Sequence, residues 1–595
     1  MASNRYFEDE LNYLRELGAE FANRNPNLAK FLGEEGDDPD VERLLEGVAF
    51  LTGRIREKLD HESPELTHSL LDMVWPNYLR PVPAMTILQF TPRLHVLTEE
   101  QRIERGTEVQ SVDVDGTPCR FRTCYNVDVA PLSVESVDIF NKAKRTHLAI
   151  SLKLDAGIAS ENISLGALRF YLHDEQKIEV SNTLYLCFFR YLDCFDVNLT
   201  MQDGQTIVLN DRPSDLVRRA GFGDEESLLP EANYEYSGNR LLQEYFQFQQ
   251  KFRFIEIGGF EQVFAHTEIS DITLIFKFSK LLVDSVNKDN FKLYCTPIVN
   301  LFENEGKPIR IDNKKIEYLL RPEAANVGHY DIFSINHVQG RVKSKRQHKI
   351  YYPYETFQHY DEMLEHDTTS FYKHRRGSSV IYDGYDHFLY FDSQVEGYDN
   401  GLENEVVTTQ LTCTNGSLPN KLRSGQIAFD SGNSPDFVTF SNIESATYSL
   451  APPSNDFQGW AMLSRLSANY NPLSSLHAIR NLIKVFDLPA KSDRRKERLN
   501  LLIREGIERL ETRHSTRLVK GMPIAGLITT INVRESKFGA KGVSGEANMY
   551  LFASVLYQYL SRQASINSFH NLEVLAIESG EKYRWGDKFF TEDYE

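Results

Sequence analysis

From about residue 84 to about residue 450, the sequence repeats one pattern: a short run of β-branched and aromatic residues, then a cluster of turn residues. Several runs alternate in character, as in Thr-Leu-Tyr-Leu-Cys-Phe at 183–188. Such runs are typical of strands in antiparallel sheets. The predicted strands are Met85–Phe90, Thr107–Val112, Val134–Ile139, Leu148–Leu154, Leu168–Leu172, Leu184–Phe189, Ile272–Phe278 and Val406–Leu411. Helical spacing is expected in this region only at Ser214–Gly221 and Arg240–Phe248.

Two amphipathic helices are predicted immediately before the strands. Asp38 is placed to cap the first helix, with Pro39 in its first turn. Its apolar residues recur at helical spacing, at Val41, Leu44, Leu45, Val48, Leu51, Ile55 and Leu59. The second helix starts at Ser63-Pro64 and should end at Pro76. Its expected buried side consists of Leu66, Leu70, Leu71 and Val74.

An earlier helix carries a candidate interface. Its apolar stripe consists of Phe7, Leu11, Leu14 and Phe21, and a polar link at 23–27 follows it. The stripe could pack on its own domain, or it could pack against another subunit. The second alternative is the hypothesis we test, because few local residues are available to cover the stripe. Residues 1–80 hold 17 acidic and 9 basic side chains, so an acidic partner surface is not expected.

In the C-terminal part of the chain, apolar residues again recur at helical spacing. Helices are expected at Trp460–Ala468, at Leu473–Phe486 and at Asn548–Leu560, the last one buried because it is apolar nearly all round. Residues 491–520 hold 10 basic and 5 acidic side chains but no Phe, Tyr or Trp to stack on bases. This basic segment is therefore predicted to contact a protein. Its candidate contact residues are Arg494, Arg495 and Arg498.

Together these patterns predict an α+β multidomain protein with a helical N-terminal segment, a large antiparallel β-rich middle region and a mixed helical/β C-terminal domain. The expected divisions are 1–83, 84–225, 226–455 and 456–595, with 221–239 as the loop at the central boundary. Residues 341–376 are polar and partly basic. They are expected to form a long exposed loop, either solvated or in contact with an acidic partner.

The composition excludes several classes of protein. A net charge of −19 disfavours general binding to nucleic acid or to an anionic membrane. The N-terminus lacks the apolar core of a secretory signal, and no apolar run approaches the roughly 20 residues of a membrane span. Six cysteines among 595 residues do not form a disulfide framework. A cytoplasmic protein is expected, with no direct membrane insertion.

Motifs of catalysis are absent from the sequence. It contains no G-x-x-x-x-G-K-[ST] phosphate loop and no G-x-S-x-G nucleophile elbow. Cys119 and Cys124 lack a second Cys or His pair at zinc-finger spacing. We therefore predict no enzyme activity, no cofactor and no metal. An aromatic cluster, Tyr234, Tyr236 and Tyr245, leaves open the alternative of a β-rich carbohydrate-active or glycan-binding protein.

Several segments, in order along nearly the whole chain, resemble one family. Besides residues 38–92 they are YFEDELNYLRELGAEFANRNPNLAKFLG at 6–33, GNRLLQEYFQFQQKFRFIEI at 238–257, CTPIVNLFENEGKPIRID at 295–312, LTCTNGSLP at 411–419 and SINSFHNL at 565–572. Together they are similar to the TssF (VasA/ImpG) family, the baseplate wedge subunit of the type VI secretion system. Two local features depart from that family: Phe-Gln-Gln at 248–250, and the length of 341–376.

The resemblance implies a structural role in a contractile, phage tail-like injection machine. A member would pair with a second copy of itself and with TssG, and the wedge would bind TssK and TssE around the VgrG hub. The resulting baseplate would dock onto the membrane complex, on the cytoplasmic side of the inner membrane, and support polymerisation of the Hcp tube and its sheath. No nucleic-acid partner is implied.

Overall fold

The structure of the chain is a computed structural model. It describes residues 39–590 with gaps and, before residue 39, only Phe7, Leu11, 13–15 and Leu17. The gaps are 61–63, 94–95, 143–144, 156–162, 164, 175–179, 232–236, 262, 264–268, 281–282, 284–285, 312–314, 325, 327, 343–347, 355–369, 380–383, 393–404, 431–434, 453–474, 487–493, 540–542 and 563–567. The chain forms two compact units. The first is Met1–Met73 with Pro453–Ser467, and the second is Val74–Pro452 with Ala468–Glu595.

The helices and strands of the described residues are numbered here in chain order. The helices are α1 Pro39–Asp60, α2 Pro64–Val74, α3 Val180–Leu186, α4 Ser237–Gln247, α5 Leu476–Phe486, α6 Arg494–Gly506 and α7 Val543–Arg562. The strands are β1 Met85–Pro92, β2 Gln101–Ile103, β3 Glu108–Val114, β4 Thr117–Thr123, β5 Val127–Val129, β6 Leu132–Lys142, β7 Arg145–Leu154, β8 Ala167–Leu172, β9 Leu192–Met201, β10 Thr206–Pro213, β11 Val217–Arg219, β12 Phe254–Gly258, β13 Ile269–Phe278, β14 Phe291–Leu293, β15 Cys295–Val299, β16 Phe302–Glu305, β17 Ile309–Ile311, β18 Tyr318–Leu320, β19 Asp331–Val342, β20 His348–Pro353, β21 Ser370–Ser378, β22 Tyr385–Asp392, β23 Glu405–Thr414, β24 Ile427–Asp430, β25 Val438–Asn442, β26 Ile507–Val519, β27 Met522–Val533, β28 Ser568–Ala576, β29 Lys582–Arg584 and β30 Lys588–Phe590.

Both α1 and α2 begin at a proline, at Pro39 and Pro64, as the sequence predicted. A proline is favoured there because the first turn of a helix needs no backbone N–H donor. The predicted buried side of α2 is wrong in part. Leu71 is fully buried, but Leu70 and Val74 are 36% and 41% exposed. The spacing of apolar residues identifies a helix face, but it does not show whether the same chain covers that face.

The Trp-Pro break after α2 is confirmed. The helix ends at Val74, and Pro76–Tyr78 form a 3-10 turn. The residue before a proline is disfavoured in the α region, which explains the end of the helix. Trp75 is fully buried between the rings of Tyr78 and Phe486, at centroid distances of 5.3 and 4.9 Å. This break therefore anchors the start of the second unit.

A six-stranded antiparallel sheet belongs to the second unit. Its strand order is β24-β3-β4-β15-β1-β25, so it joins strands from both sides of residue 225. Met85, Tyr125, Phe254 and Leu301 belong to the buried cluster beside it. The division of the chain into four domains stays a prediction.

Two smaller antiparallel sheets belong to the same unit. Their orders are β10-β9-β13-β7-β6 and β11-β12-β8-β14. Buried residues alternate with partly exposed ones along most of β13, as expected for a strand with one face towards a core. The predicted strands at 134–139, 148–154, 168–172 and 272–278 are confirmed.

The sequence prediction was wrong for Leu184–Phe189. These residues form the end of α3 and a following π turn, Cys187–Tyr191, instead of a strand. All side chains from Ser181 to Leu186 are buried. The pattern of apolar residues therefore has no period that could distinguish a helix from a strand. Asp174 fixes the start of the helix, because its carboxylate accepts hydrogen bonds from the backbone N–H and the hydroxyl of Ser181, at 2.8 and 2.7 Å.

The two short helices predicted in the β region had different outcomes. Arg240–Phe248 is confirmed as α4. The helix predicted at Ser214–Gly221 was wrong, because a 3-10 turn at Ser214–Leu216 leads directly into β11. The three residues of β11 pair with β12, and this pairing favours the extended backbone.

The eight-stranded sheet corrects the expectation for 341–376. Its order is β16-β23-β19-β20-β21-β22-β18, with β17 also paired to β23. Residues 348–353 and 370–378 are the neighbouring strands β20 and β21, which pair in parallel. The segment is therefore not one long loop. Its strands consist largely of polar residues and are stabilised by pairing with neighbouring strands, so the hydrophobicity pattern did not reveal them. Residues 343–347 and 355–369 lie outside the described part.

The C-terminal sheet has the order β26-β27-β28-β29, with β30 also paired to β28. Parallel strands β27 and β28 are connected through α7, which packs on the sheet. As predicted, α7 is buried on most sides, including Met549, Leu551, Val555 and Leu560. The helix predicted at Leu473–Phe486 is confirmed as α5, and Trp460–Ala468 lies outside the described residues. Taken together, the described elements form a β-rich α+β protein with several sheets.

Among the described helices, none combines the length and the apolar composition that a membrane crossing requires.

Candidate interaction surfaces

Four of the six cysteines are buried thiols of low reactivity. Burial raises the pKa values of the Cys119, Cys124 and Cys413 thiols to about 12, and it also raises that of Cys295. A thiol with such a pKa stays protonated near neutral pH and is a poor nucleophile. Within the described residues, no three or more His, Cys, Asp or Glu side chains are grouped as metal ligands.

A polar cavity of about 840 Å³ lies between β2, β5, β8 and the loop 223–226. Its arginines are engaged by the protein itself. Arg105 donates to the carbonyl oxygens of Glu225 and Ser227, at 2.5 and 2.9 Å. Arg169 pairs with Glu226 and Glu256, at 3.1 and 2.7 Å. Both arginines are therefore held by partners within the chain.

The segment 238–257 contains a buried polar cluster. The side chains of Glu244 and Lys251 form an ion pair in which each is 1% exposed. The second carboxylate oxygen of Glu244 accepts hydrogen bonds from the backbone N–H groups of Leu228 and Leu229, at 2.7 and 3.0 Å. Nearby, Gly221 has a φ of +92°, and a Cβ there would lie 2.5 Å from the carbonyl oxygen of Lys251. The cluster fixes the loop after β11 against α4, which is a structural role.

Two further segments that resemble the family, 295–312 and 411–419, meet through the pairing of β16 with β23 and through two asparagines. Asn300 Nδ2 donates to Asn415 Oδ1 at 2.8 Å, and the backbone N–H of Asn415 donates to Asn300 Oδ1 at 2.7 Å. Both residues are fully buried. Asn300 follows β15 of the six-stranded sheet and Asn415 follows β23 of the eight-stranded sheet, so this pair links the two sheets.

The structure does not support the aromatic cluster as a glycan platform. Tyr245 is 4% exposed and packs against Phe246, Phe252 and Phe552. Tyr234 and Tyr236 lie outside the described residues. A sugar could not stack on the Tyr245 ring without disrupting this core.

The residues predicted at the first interface lie in the first unit. Leu11 is buried, Phe7 and Leu14 are partly buried, and Phe21 lies outside the described residues. Tyr13 and Leu17, on other positions of the same turns, are 55% and 44% exposed. The chain's own atoms therefore cover Leu11, and the contact of this stripe with another subunit stays a prediction.

A more exposed apolar face lies on α1. Leu44, Val48 and Leu51 are spaced i, i+4 and i+7, which places them on one side of the helix, and they are 69%, 45% and 62% exposed. Phe50, beside them, is 51% exposed. The sequence pattern identified these residues as an apolar stripe but did not reveal that the chain leaves it uncovered. Adjacent exposed apolar residues of this kind are characteristic of interaction sites.

The predicted basic contact lies on α6. Arg494 and Arg495 are in its first turn, although their side chains lie outside the description, and Arg498 is exposed. The other end of α6 is fixed by Arg480, which donates to the carbonyl oxygens of Arg504 and Ile507, at 3.1 and 2.8 Å. The structure therefore presents one of the three predicted residues on the surface, and their role stays a prediction.

Known proteins match this chain over almost its full length. Residues 2–589 match the family model for "Type VI secretion system, TssF". The type VI secretion system component TssF1 of Pseudomonas aeruginosa is 29% identical over 632 aligned positions, which cover 98% of each chain.

Two solved structures are also similar. A chain in the TssK-TssF-TssG baseplate subcomplex of the type VI secretion system matches with a TM-score of 0.78 and 29% identity, over 93% of this chain and 100% of that one. A chain in the baseplate complex from the type VI secretion system matches with a TM-score of 0.63 and 27% identity, over 99% and 100%. The chain belongs to the TssF family of type VI secretion system baseplate proteins.

Proposed function

We propose that this chain is a structural subunit of a type VI secretion baseplate, assembles with TssG and TssK, and catalyses no reaction. The observation that carries the proposal is the exposed apolar face of α1, at Leu44, Val48 and Leu51. A similar chain occurs in a TssK-TssF-TssG subcomplex. Burying one exposed leucine contributes about 1.5–3 kcal/mol, so three such residues are a substantial source of binding energy.

The finer role follows from the family resemblance and forms part of the proposal. The chain pairs with a second copy of itself, and the resulting wedge contacts TssE and the VgrG hub and supports growth of the Hcp tube. The baseplate lies in the cytoplasm and docks onto the membrane complex. The stripe at Phe7, Leu11, Leu14 and Phe21 and the basic residues Arg494, Arg495 and Arg498 are proposed as further subunit contacts.

The test is reconstitution of the full chain with TssG and TssK, followed by size-exclusion chromatography and mass measurement. The double variant Leu44→Asp/Leu51→Asp should weaken assembly at least tenfold, because buried carboxylates at an interface are costly. Val208→Asp, on β10 at a position 44% exposed, is the matched control and should assemble normally. Normal assembly of the α1 variant would reject the α1 contact, and failure of the wild-type chain to assemble would reject the proposed function.

A further inference from the structure

The β26–β27 hairpin extends beyond the rest of the C-terminal sheet. The two strands pair from Ile507 opposite Val533 to Val519 opposite Met522. Strand β28 pairs with β27 only from Gly526 onwards. Residues 516–525 are therefore a two-stranded ribbon with no third strand in the described part of the chain. The turn has φ values of +48° at Lys520 and +83° at Gly521, as tight two-residue hairpin turns require.

The end of this ribbon exposes large apolar side chains. Leu518 is 77% exposed and Met522 is 63% exposed. A ribbon of two strands is only marginally stable in water, and exposed apolar residues at its end do not add to its stability. These two side chains are better explained as contacts for another molecule.

Among the described strands, β26 is also the end strand of its sheet and, with 13 residues, the longest. An end strand directs backbone N–H and C=O groups to its open side, where another chain can add a strand. Proteins normally protect such edges by keeping them short or by covering them. Here helices α5 and α6 contact β26, with Arg480 of α5 donating to the carbonyl oxygen of Ile507, and Ile507 and Leu510 are buried.

The charge on the sheet face beside this edge indicates what can bind. The register places Arg509, Arg513 and Arg517 on the face opposite α7. The side chains of these arginines are 69%, 67% and 48% exposed. With Lys582 and Arg584, the described residues of this face include five basic side chains against three acidic ones, Glu511, Glu573 and Asp587, in a chain of net charge −19.

Glu573 shows that cations converge on this face. Its carboxylate lies 2.8 Å from Lys582, 3.1 Å from Arg584 and 4.0 Å from Arg513. These contacts hold the pKa of the Glu573 carboxyl below its usual value, with the hydrogen bond from Lys582 as the largest cause. One carboxylate shared among three cations leaves a positive excess, which complements an acidic partner.

We propose that the open edge of β26 and the apolar tip at Leu518 and Met522 bind an extended acidic segment of another baseplate subunit, which adds to the sheet as its next strand. This inference rests on the proposed function. A second copy of this chain is disfavoured as the occupant, because pairing β26 with itself would bring the same arginines together, and like charges on adjacent strands repel.

The first test is hydrogen exchange of the full chain, alone and in the reconstituted complex with TssG and TssK. Strand addition predicts that every second backbone amide of 508–519, those that point away from β27, exchanges at least tenfold more slowly in the complex. A photo-crosslinking residue at Leu518 should react with an acidic segment of TssG or TssK. If the complex forms without added protection at 508–519, or if Leu518 crosslinks to a second copy of this chain, the inference is overturned and the proposed function stands. If the wild-type complex does not form, both proposals fail.

The second test changes charge. Arg513→Glu/Arg517→Glu should weaken assembly at least tenfold and abolish the added protection, whereas Arg513→Lys/Arg517→Lys should retain both. Arg218→Glu, at an exposed position of β11, is the control and should leave assembly unchanged. Each variant is first checked for an unchanged melting temperature. Equal assembly of the glutamate and lysine variants would overturn the inference, and so would competition by a single-stranded oligonucleotide for the same edge.

Discussion

Glu244 and Lys251 form an ion pair inside the second unit, on opposite sides of the turn that ends α4, and each side chain is 1% exposed. Glu244 also accepts hydrogen bonds from the backbone N–H groups of Leu228 and Leu229, so one carboxylate joins the helix, the following 3-10 turn and the loop before the helix. Buried charges are tolerated when they are paired and hydrogen-bonded, and this carboxylate has both kinds of partner. The pair explains how both charged residues can lie in the interior of the second unit.

Removal of one partner should be strongly destabilising. Lys251→Met leaves the Glu244 carboxylate buried without its cation, at a cost of about 3–5 kcal/mol. The urea midpoint of the transition that reports the second unit should fall accordingly. The matched control is Lys153→Met, which breaks a surface pair with Glu135 whose side chains are 58% and 53% exposed. Loss of that pair should cost about 0–1 kcal/mol. Equal shifts in the two variants would contradict the importance of the buried pair.

Gly306 should not tolerate even one methyl group. A Cβ at this position would lie 2.0 Å from Thr409 Oγ1 and 3.1 Å from Leu320 Cδ1, inside the eight-stranded sheet. Gly306→Ala should therefore lower the melting temperature, since overpacking a close-packed interior costs about 1–3 kcal/mol. Thr409→Ala should restore part of the loss by removing the closest atom. Gly586→Ala is the control, because a Cβ there meets nothing within 4 Å. No loss in Gly306→Ala would contradict the prediction.

Where local pattern decides structure, the sequence predicted the fold well. Strands β1, β7 and β13 and helices α4 and α7 follow from alternation or helical spacing in their own residues. The prediction failed at Leu184–Phe189, because every side chain from 181 to 186 is buried and no period in burial remains. It failed within 341–376 because β20 and β21 are held by pairing with other strands.

The interaction surfaces were less predictable for a different reason. The amides of Asn300 and Asn415 are 115 residues apart in sequence, and nothing local indicates that they meet. The stripe at Leu44, Val48 and Leu51 was recognised as apolar, but exposure depends on what the rest of the chain covers. The register of β26 and β27, which places three arginines on one face, likewise becomes visible only in the folded sheet.

The first helix allows two neighbouring leucines to be compared. Leu14→Asp should prevent co-purification with the partner subunits while the circular dichroism spectrum stays unchanged, because Leu14 is only partly buried by its own chain. Leu11→Asp should instead destabilise the first unit, since Leu11 is 9% exposed and a charge there would be buried. Co-purification and circular dichroism are measured for both variants. Intact assembly of Leu14→Asp would place that stripe in the chain's own core.

His570 should make the stability of the C-terminal sheet depend on pH. It is 4% exposed, and burial lowers its pKa from 6.5 to about 4. Its Nε2 lies 3.1 Å from the hydroxyl of Thr529 on β27. Because the folded pKa lies below the unfolded one, the unfolded state binds the proton first as pH falls from 6.5 towards 4. This residue alone should therefore remove about 2 kcal/mol of stability by pH 5.

The measurement is the urea midpoint of the wild-type chain and of His570→Gln, each from pH 7 to pH 5. Substitution removes the titrating group, so the variant should lose less stability over this interval, whatever its stability at pH 7. His348→Gln, at an exposed position of β20, is the control and should follow the wild-type pH profile. Parallel profiles for wild type and His570→Gln would show that the imidazole is not held neutral by burial, because a buried neutral histidine must contribute to the slope in this pH range.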